Sequence, residues 1–186
     1  MKKMNLRELQ MCELQILLFF DEFCRKNGIR YSLASGTMIG AVRHQGFIPW
    51  DDDIDIFMRR AEFEKSRHCA AKQGYSAGRY RFCFPGSEGY FYPFLKITDT
   101  KTAAQEKIIR PEYTGGVWID VFPIDYCADT KEEARRVCAV HEKYTEDYFR
   151  YFVRCDVNDL RSFVKKSIFT YIRLCFVEIA ENFCKN

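Results

Sequence analysis

The sequence predicts an α+β fold, with strands concentrated in the front part of the chain and helices at the back. Short alternating or apolar stretches, bounded by glycine, proline and polar turns, occur between residues 29 and 122. From Thr130 onward, the apolar residues instead recur at helical spacing. The chain has 186 residues, of which 47% are hydrophobic, so it can bury one sizeable core.

The first elements follow from these patterns. A helix is predicted over residues 6–26, where leucines repeat at helical spacing, and Asn27-Gly28 ends it. A short strand at 29–34 comes next. A short helix follows and is closed by Gln45-Gly46. Pro49 then keeps the chain extended into the next strand.

The later elements are separated by glycine and by a turn. Gly74 ends a third helix, and the turn at 85–89 joins a pair of strands. One more strand follows this pair, and the pattern is then helical to the end of the chain. After the strand at 29–34, the predicted elements are a helix at 36–44, a strand at 54–58, a helix at 61–73, strands at 80–84, 90–98 and 117–122, and helices from 130 onward with a break at 155–159.

The chain is expected to form a core domain over residues 1–128 and a helical segment over 129–186. Within that segment, residues 163–183 are rich in Phe, Ile and Tyr and contain basic residues. Two interpretations of this stretch stay open. The favoured one is a helix that packs on a core, and the other is a helix that lies on a membrane surface.

Charge and cysteine content restrict the class of protein. The net charge of +3 is too small to predict nucleic-acid binding. The nine cysteines include no C-x-x-C pair, which argues against a zinc site or a disulfide framework. The N-terminus does not resemble a secretory signal, and no apolar run is long enough to span a bilayer. We therefore expect a cytoplasmic protein.

The acidic stretch Asp51-Asp52-Asp53-Ile54-Asp55 indicates a metal site. On a strand, Asp53 and Asp55 point to the same side, about 6.6 Å apart along the chain. Asp51 joins them if the strand begins that early. Two carboxylates on one face repel each other, and a hard divalent cation such as Mg²⁺ or Mn²⁺ removes that repulsion.

A phosphate cradle is predicted next to this site. The small polar turn Ser35-Gly36-Thr37 stands just before a short helix, and the start of a helix favours a bound phosphate. A metal beside a phosphate cradle indicates phosphoryl or nucleotidyl transfer.

A third carboxylate is expected from Asp120, which lies between apolar residues on a predicted strand. A buried charge there needs a metal or a partner. A salt bridge to Lys96 or Arg43 is the rival explanation, and a solvated turn is the rival for the acidic stretch. Asp125 is expected to be a turn residue.

Three blocks of the chain resemble a known family. They are Gly36-Thr37-Met38-Ile39-Gly40-Ala41-Val42-Arg43-His44-Gln45-Gly46-Phe47-Ile48-Pro49-Trp50-Asp51-Asp52-Asp53-Ile54-Asp55-Ile56, Phe94-Leu95-Lys96-Ile97-Thr98-Asp99-Thr100-Lys101-Thr102, and Trp118-Ile119-Asp120-Val121-Phe122-Pro123-Ile124-Asp125. In this order they resemble the signatures of the LicD family, bacterial phosphorylcholine transferases related to fukutin-type enzymes within the nucleotidyltransferase-fold superfamily.

The resemblance implies a nucleotidyltransferase-like small mixed sheet flanked by helices. It maps the superfamily's glycine turn to Ser35, Gly36 and Thr37, and the metal-binding and catalytic carboxylates to Asp53, Asp55 and Asp120. Asp51 matches a further family aspartate that supports the metal ligands. Family members run longer at the C-terminal end, so we expect either a short member or a fragment.

The family's activity implies a CDP-linked donor, CDP-choline first, and a sugar hydroxyl of a cell-surface glycan such as lipopolysaccharide or teichoic acid as acceptor. The phosphate-binding candidates are Arg43 and Lys96, and His44 is a further candidate for the substrate site. Trp50 and the aromatics at 90–94 are candidates for holding a cytosine or a choline ammonium, although aromatics are more often core.

Two alternatives remain. The same fold could use CDP-ribitol, CDP-glycerol or a nucleoside triphosphate as donor, or the chain could be a non-catalytic binding protein that kept the fold.

Overall fold

The structure is a computed structural model that describes residues 3–90, 92–104 and 115–152. In these ranges it contains four helices and a six-stranded sheet. The elements are α1 (Leu6–Asn27), β1 (Ser32–Leu33), α2 (Ser35–His44), β2 (Asp55–Arg59), α3 (Arg60–Ala71), β3 (Ser76–Ala77), β4 (Tyr80–Cys83), β5 (Leu95–Asp99), β6 (Trp118–Ile124) and α4 (Lys131–Phe152).

The sheet is mixed, with the strand order β1-β2-β6-β5-β4-β3. The central pair β2 and β6 is parallel, and every other neighbouring pair is antiparallel. The predicted α+β class is confirmed. The chain between β2 and β6 contains α3 and the meander β3-β4-β5, so residues distant in sequence meet at the centre of the sheet.

Local signals in the sequence explain the first helix. Asn5 accepts a hydrogen bond from the backbone N–H of Glu8, and the Glu8 carboxylate accepts one from the backbone N–H of Asn5, which forms a capping box. Gly28 ends the helix in the left-handed conformation, with a φ of 59°. Because both ends are capped, this helix starts and stops where the sequence predicts.

One apolar core lies between the sheet and helices α1 and α3. Ile16 and Phe20 of α1 are fully buried, as are Phe63 of α3 and Ile119 and Val121 of β6. Because side chains alternate along β6, Asp120 lies on the opposite face of the sheet from Ile119 and Val121. The charged side chain of Asp120 is therefore kept out of this apolar core.

The structure corrects two details of the predicted elements. The strand β2 begins at Asp55, so Asp51 and Asp53 lie in the segment before it instead of on the strand. Consecutive aspartates disfavour strand structure, which explains the later start. The two-residue strand β3 was not predicted, since two residues are too few to show a period.

The chain divides into two compact units. The first contains α1 to α3 and the whole sheet, and its last residue is Asp125. The second contains α4, which starts after Thr130, whose hydroxyl accepts a hydrogen bond from the Glu133 N–H. The proposed boundary at residue 128 stays a prediction. The predicted break at 155–159 and the aromatic stretch at 163–183 lie outside the described residues.

Two further findings concern the described ranges. No disulfide bond joins the cysteines there. None of the helices there combines the length and apolar character that a bilayer span requires.

Candidate active site

Three charged side chains form a row across the centre of the sheet. In the parallel pair of β2 and β6, Asp55 is the direct partner of Asp120. In the antiparallel pair of β6 and β5, Asp120 is the direct partner of Lys96. Directly opposed residues point to the same face, and neighbouring strands are about 4.8 Å apart. The fold thus brings the two carboxylates together from positions far apart in the sequence.

The turn before α2 holds Asp55 from two sides. The backbone N–H of Asp55 donates a hydrogen bond to the Thr37 hydroxyl oxygen at 2.8 Å. The Ser35 side chain forms a hydrogen bond with the Asp55 carboxylate, and this bond by itself lowers the pKa of that carboxyl group. Ser35 has a φ of 46°, a left-handed conformation that is uncommon for a residue with a side chain. Such backbone strain concentrates at functional sites.

Gly36 allows a close approach between this turn and the acidic stretch. A Cβ atom at position 36 would lie 2.5 Å from Asp51 Oδ2, closer than real contacts permit. On its other side, the segment is held by α1, because Gln10 Nε2 donates to the Asp51 carbonyl oxygen at 2.8 Å. The predicted glycine turn therefore packs directly against the predicted supporting aspartate.

The carboxylates of the site raise one another's pKa. Burial, followed by the charges of Asp53 and Asp120, raises the pKa of Asp55 from 3.8 to about 7. Asp53 is exposed as a whole residue. Partial desolvation of its carboxyl group, followed by the charges of Asp51 and Asp52, nevertheless raises its pKa to about 6. Burial also raises the pKa of Asp51. The site is thus strongly unfavourable for several ionised carboxylates in the absence of a positive charge.

Lys96 supplies one such charge. Its ammonium lies 3.4 Å from Asp120 Oδ1. The same ammonium stands 3.9 Å from the ring centroid of Trp118 and 4.3 Å from that of Tyr92, which are cation–π distances. Of the two roles considered for Lys96, donor phosphate or Asp120, the structure shows the pairing with Asp120. Two of the aromatic residues considered for a ligand's ammonium, Tyr92 and Phe94, instead lie close to this lysine, with the Phe94 ring centroid 5.8 Å from the ammonium. Trp50, the other candidate named, is 76% exposed.

Glu13 is a functional candidate that the sequence analysis missed. It lies on α1 and is only 4% exposed. Burial, followed by the charges of Asp53, Asp52, Asp120 and Asp51, raises the pKa of its carboxyl group to about 9. A signal existed in the sequence, because an acid stands there on the apolar face of the helix, three residues before Ile16.

Other candidates lie away from the row. Arg43 and His44 form the exposed C-terminal end of α2, about 10 Å along the helix from Gly36. Asp125 follows β6 and accepts two hydrogen bonds from the Arg60 guanidinium, at 2.6 and 2.5 Å. Asp125 therefore serves the structure, as expected of a turn residue.

The residues fit a hard cation by their chemistry. Asp53, Asp55 and Asp120 offer carboxylate oxygens, and the buried Glu13 Oε2 has no hydrogen-bond partner within the described ranges. The side chains are not already drawn together, since no three His, Cys, Asp or Glu residues in the described part of the chain are arranged to hold a metal ion. The assignment of Asp53, Asp55 and Asp120 as metal ligands stays a prediction.

Comparison with known proteins yields a family model and several relatives. The model described as LicD/FKTN/FKRP, nucleotidyltransferase domain, matches residues 28–153. The chain is 55% identical over 65 residues to the lipopolysaccharide cholinephosphotransferase LicD of Haemophilus influenzae. It is 39% identical over 51 residues to the ribitol 5-phosphate transferase FKRP of Homo sapiens and to that of Mus musculus.

These matches cover only part of each protein. The LicD match spans 35% of this chain and 24% of the relative. The FKRP matches span 27% of this chain and 10% of each relative. The chain thus spans about a quarter or less of the curated relatives it matches.

Proposed function

Because the chain belongs to the LicD/FKTN/FKRP family, whose model matches more than half of it, we propose that it transfers a phosphorylated alcohol to a sugar hydroxyl of a glycan. The family predicted from the sequence, with its link to fukutin-type enzymes, is confirmed. The relatives' names describe a cholinephosphotransferase and a ribitol 5-phosphate transferase, which both move a phosphorylated alcohol. The observation that carries the proposal is the pairing of Asp55 with Asp120 beside the Ser35-Gly36-Thr37 turn.

The donor we propose is CDP-choline. The matched relative that handles a choline phosphate is 55% identical in its matched segment, against 39% for the ribitol phosphate transferase. CDP-ribitol is the second candidate, favoured by the FKRP match. Both donors contain a diphosphate, so both would use the same phosphate-binding and cation-binding groups.

The N-terminus of α2 would bind a donor phosphate. The first N–H groups of a helix have no partner within the helix, and they carry a partial positive charge. At α2 these groups belong to the turn that also fixes Asp55. A phosphate held here would therefore lie next to the carboxylates of the site.

A divalent cation, Mg²⁺ or Mn²⁺, held by Asp53, Asp55 and Asp120, would supply neutralisation of charge on the transferring phosphoryl group and on departing CMP. Asp51 would support these ligands from its position against Gly36. Lys96 compensates the charge of Asp120 on the side away from Asp55. Asp120 is the chain's candidate to accept the proton of the attacking sugar hydroxyl.

The acceptor and the location follow from the same proposal. A cell-surface glycan built at the inner face of a membrane would meet the protein in the cytoplasm. The lipopolysaccharide named for the LicD relative is one such glycan. Liposome flotation of the full chain would test contact with a membrane.

The test is mass spectrometry of products after incubation of the protein with CDP-choline, Mg²⁺ and a cell-envelope glycan extract. We expect CMP and a glycan heavier by one phosphocholine, and neither with EDTA. Parallel reactions with CDP-ribitol, CDP-glycerol and nucleoside triphosphates would identify another donor. No product with any donor, together with no binding of Mg²⁺ or Mn²⁺, would favour the non-catalytic alternative.

A further inference from the structure

The buried face of α1 carries two polar side chains one helical turn apart. Gln10 is 3% exposed and Glu13 is 4% exposed, whereas Ile16 and Phe20, which continue the same face, are apolar. A charged or amide side chain at such a place costs free energy unless it has a partner. Each of these two residues therefore needs an explanation from its surroundings.

Gln10 is explained by the acidic stretch. Its side-chain amide donates to the carbonyl oxygen of Asp51 at 2.8 Å and to that of Ile48 at 3.4 Å. Its side-chain oxygen accepts a hydrogen bond from Arg7 at 3.2 Å. The face of α1 that contains Gln10 and Glu13 is thus hydrogen-bonded to the backbone at the start of the acidic stretch.

Glu13 has no such explanation. Its Oε2 atom is buried and has no hydrogen-bond partner within the described ranges. After burial, the largest influences on its carboxyl group are the charges of the Asp53, Asp52, Asp120 and Asp51 carboxylates, which all repel it. A buried acid close to several like charges is suited to a positive charge that binds between them.

We propose that Glu13 is a positioning residue of the cation site, whose carboxylate accepts a hydrogen bond from water bound to the cation. The inference rests on the proposed function, because it places the cation at Asp53, Asp55 and Asp120. Mg²⁺ keeps several of its waters when proteins bind it, and these waters need acceptors.

This role is new to the site in two respects. Glu13 lies outside residues 28–153, which the family model matches. It also comes from a helix, whereas the predicted ligands come from β2, β6 and the segment before β2. Helix α1 would then contribute to cation binding as well as to the core.

The test compares Glu13→Gln, which keeps the shape of the side chain and removes its charge, with the wild-type protein. The matched control is Glu22→Gln on the same helix, because the Glu22 side chain is 65% exposed and forms an ion pair with Lys26 near the surface. Mn²⁺ affinity is measured by calorimetry, and thermal unfolding is measured in EDTA. We expect Glu13→Gln to weaken Mn²⁺ binding about tenfold or more. In EDTA its melting temperature should be equal to the wild-type value or higher, since a neutral amide replaces an acid that is buried close to like charges.

A second variant keeps the inference testable if the buried amide disturbs folding. Glu13→Met fills a similar volume with apolar atoms, and it should fold in EDTA and show the same loss of Mn²⁺ affinity. A structural role for Glu13 gives the opposite result, with lower melting temperatures in EDTA and wild-type Mn²⁺ affinity. That result would overturn the inference and leave the proposed function standing. If the wild-type protein binds no Mn²⁺, the proposed function and the inference both fail.

Discussion

Asp55 of β2 and Asp120 of β6 lie directly opposite each other in the only parallel strand pair among the described residues. Like charges that face each other across a strand pair destabilise a sheet. The row continues to Lys96, which compensates Asp120 on one side only. A cation bound next to Asp55 would therefore compensate the charge that Lys96 leaves uncompensated.

Replacement of a predicted ligand should abolish cation binding without loss of the fold. In Asp53→Asn, transfer should fall by more than about a hundredfold, because charge neutralisation by a metal is worth several kcal/mol. In EDTA the variant should melt at or above the wild-type temperature, since one of the repelling charges is gone. Product analysis and thermal unfolding check both parts, and full transfer activity would rule out Asp53 as a ligand.

Addition of one methyl group at Gly36 should lower Mn²⁺ affinity and transfer activity without lowering the free energy of unfolding. In Gly36→Ala the new Cβ would lie 2.5 Å from Asp51 Oδ2, so the aspartate side chain must move. Because alanine favours a helix by about 1 kcal/mol over glycine, the free energy of unfolding should hold or rise. Mn²⁺ affinity and transfer should fall.

The matched control for this variant is Gly46→Ala, where a Cβ would meet no atom within 4 Å. It should retain wild-type Mn²⁺ affinity and transfer. Equal behaviour of the two alanine variants would show that the contact between the glycine turn and Asp51 has no role.

The Thr37 hydroxyl should contribute to stability through its hydrogen bond from the Asp55 N–H. Thr37→Val keeps the shape of the side chain but removes the acceptor, so the free energy of unfolding should fall by about 1 kcal/mol. Urea denaturation measures this difference. Thr37→Ser keeps the hydroxyl and should lie closer to the wild type, and a valine variant as stable as the wild type would contradict the assignment.

Stability without metal should fall as the pH rises. In the folded protein, the pKa of Asp55 is raised to about 7 and that of Glu13 to about 9. The native state then binds more protons than the unfolded chain above about pH 4, so the free energy of unfolding decreases with pH through this range. Urea denaturation in EDTA at about pH 5, 7 and 9 checks the trend.

Mg²⁺ should reduce this pH dependence, because a bound cation stabilises the ionised carboxylates. The stabilisation by Mg²⁺ should therefore be larger at about pH 9 than at about pH 5. A free energy of unfolding that rises with pH in EDTA would contradict the electrostatic account of the site.

Elements with strong local signals were predicted well from the sequence. The capping box at Asn5 and the left-handed Gly28 set the ends of α1, and the alternation of Ile119, Asp120 and Val121 identified β6 as a strand with one polar side chain. Asp120 was predicted as a candidate for the same reason. Local sequence was sufficient where the structure depends on neighbours in the chain.

Features that depend on distant contacts were predicted only in part. The ion pair of Lys96 with Asp120 was one of several alternatives, because it requires β5 and β6 to be paired in one register, which no local pattern specifies. The environment of Glu13 depends on how α1 packs against the acidic stretch. The hydrogen bond from the Gln10 side chain to the Asp51 carbonyl oxygen holds these two segments together. The position of Asp53 before β2 was missed because a strand period gives no start point within a run of aspartates.

The most direct test of the central claim is a crystal structure of the protein grown with Mn²⁺ and CDP, with anomalous scattering used to locate the metal. The account predicts a Mn²⁺ peak bound by carboxylate oxygens of Asp53, Asp55 and Asp120, with a CDP phosphate at the N-terminus of α2. A Mn²⁺ peak bound elsewhere, or CDP bound with no metal at these three residues, would contradict it.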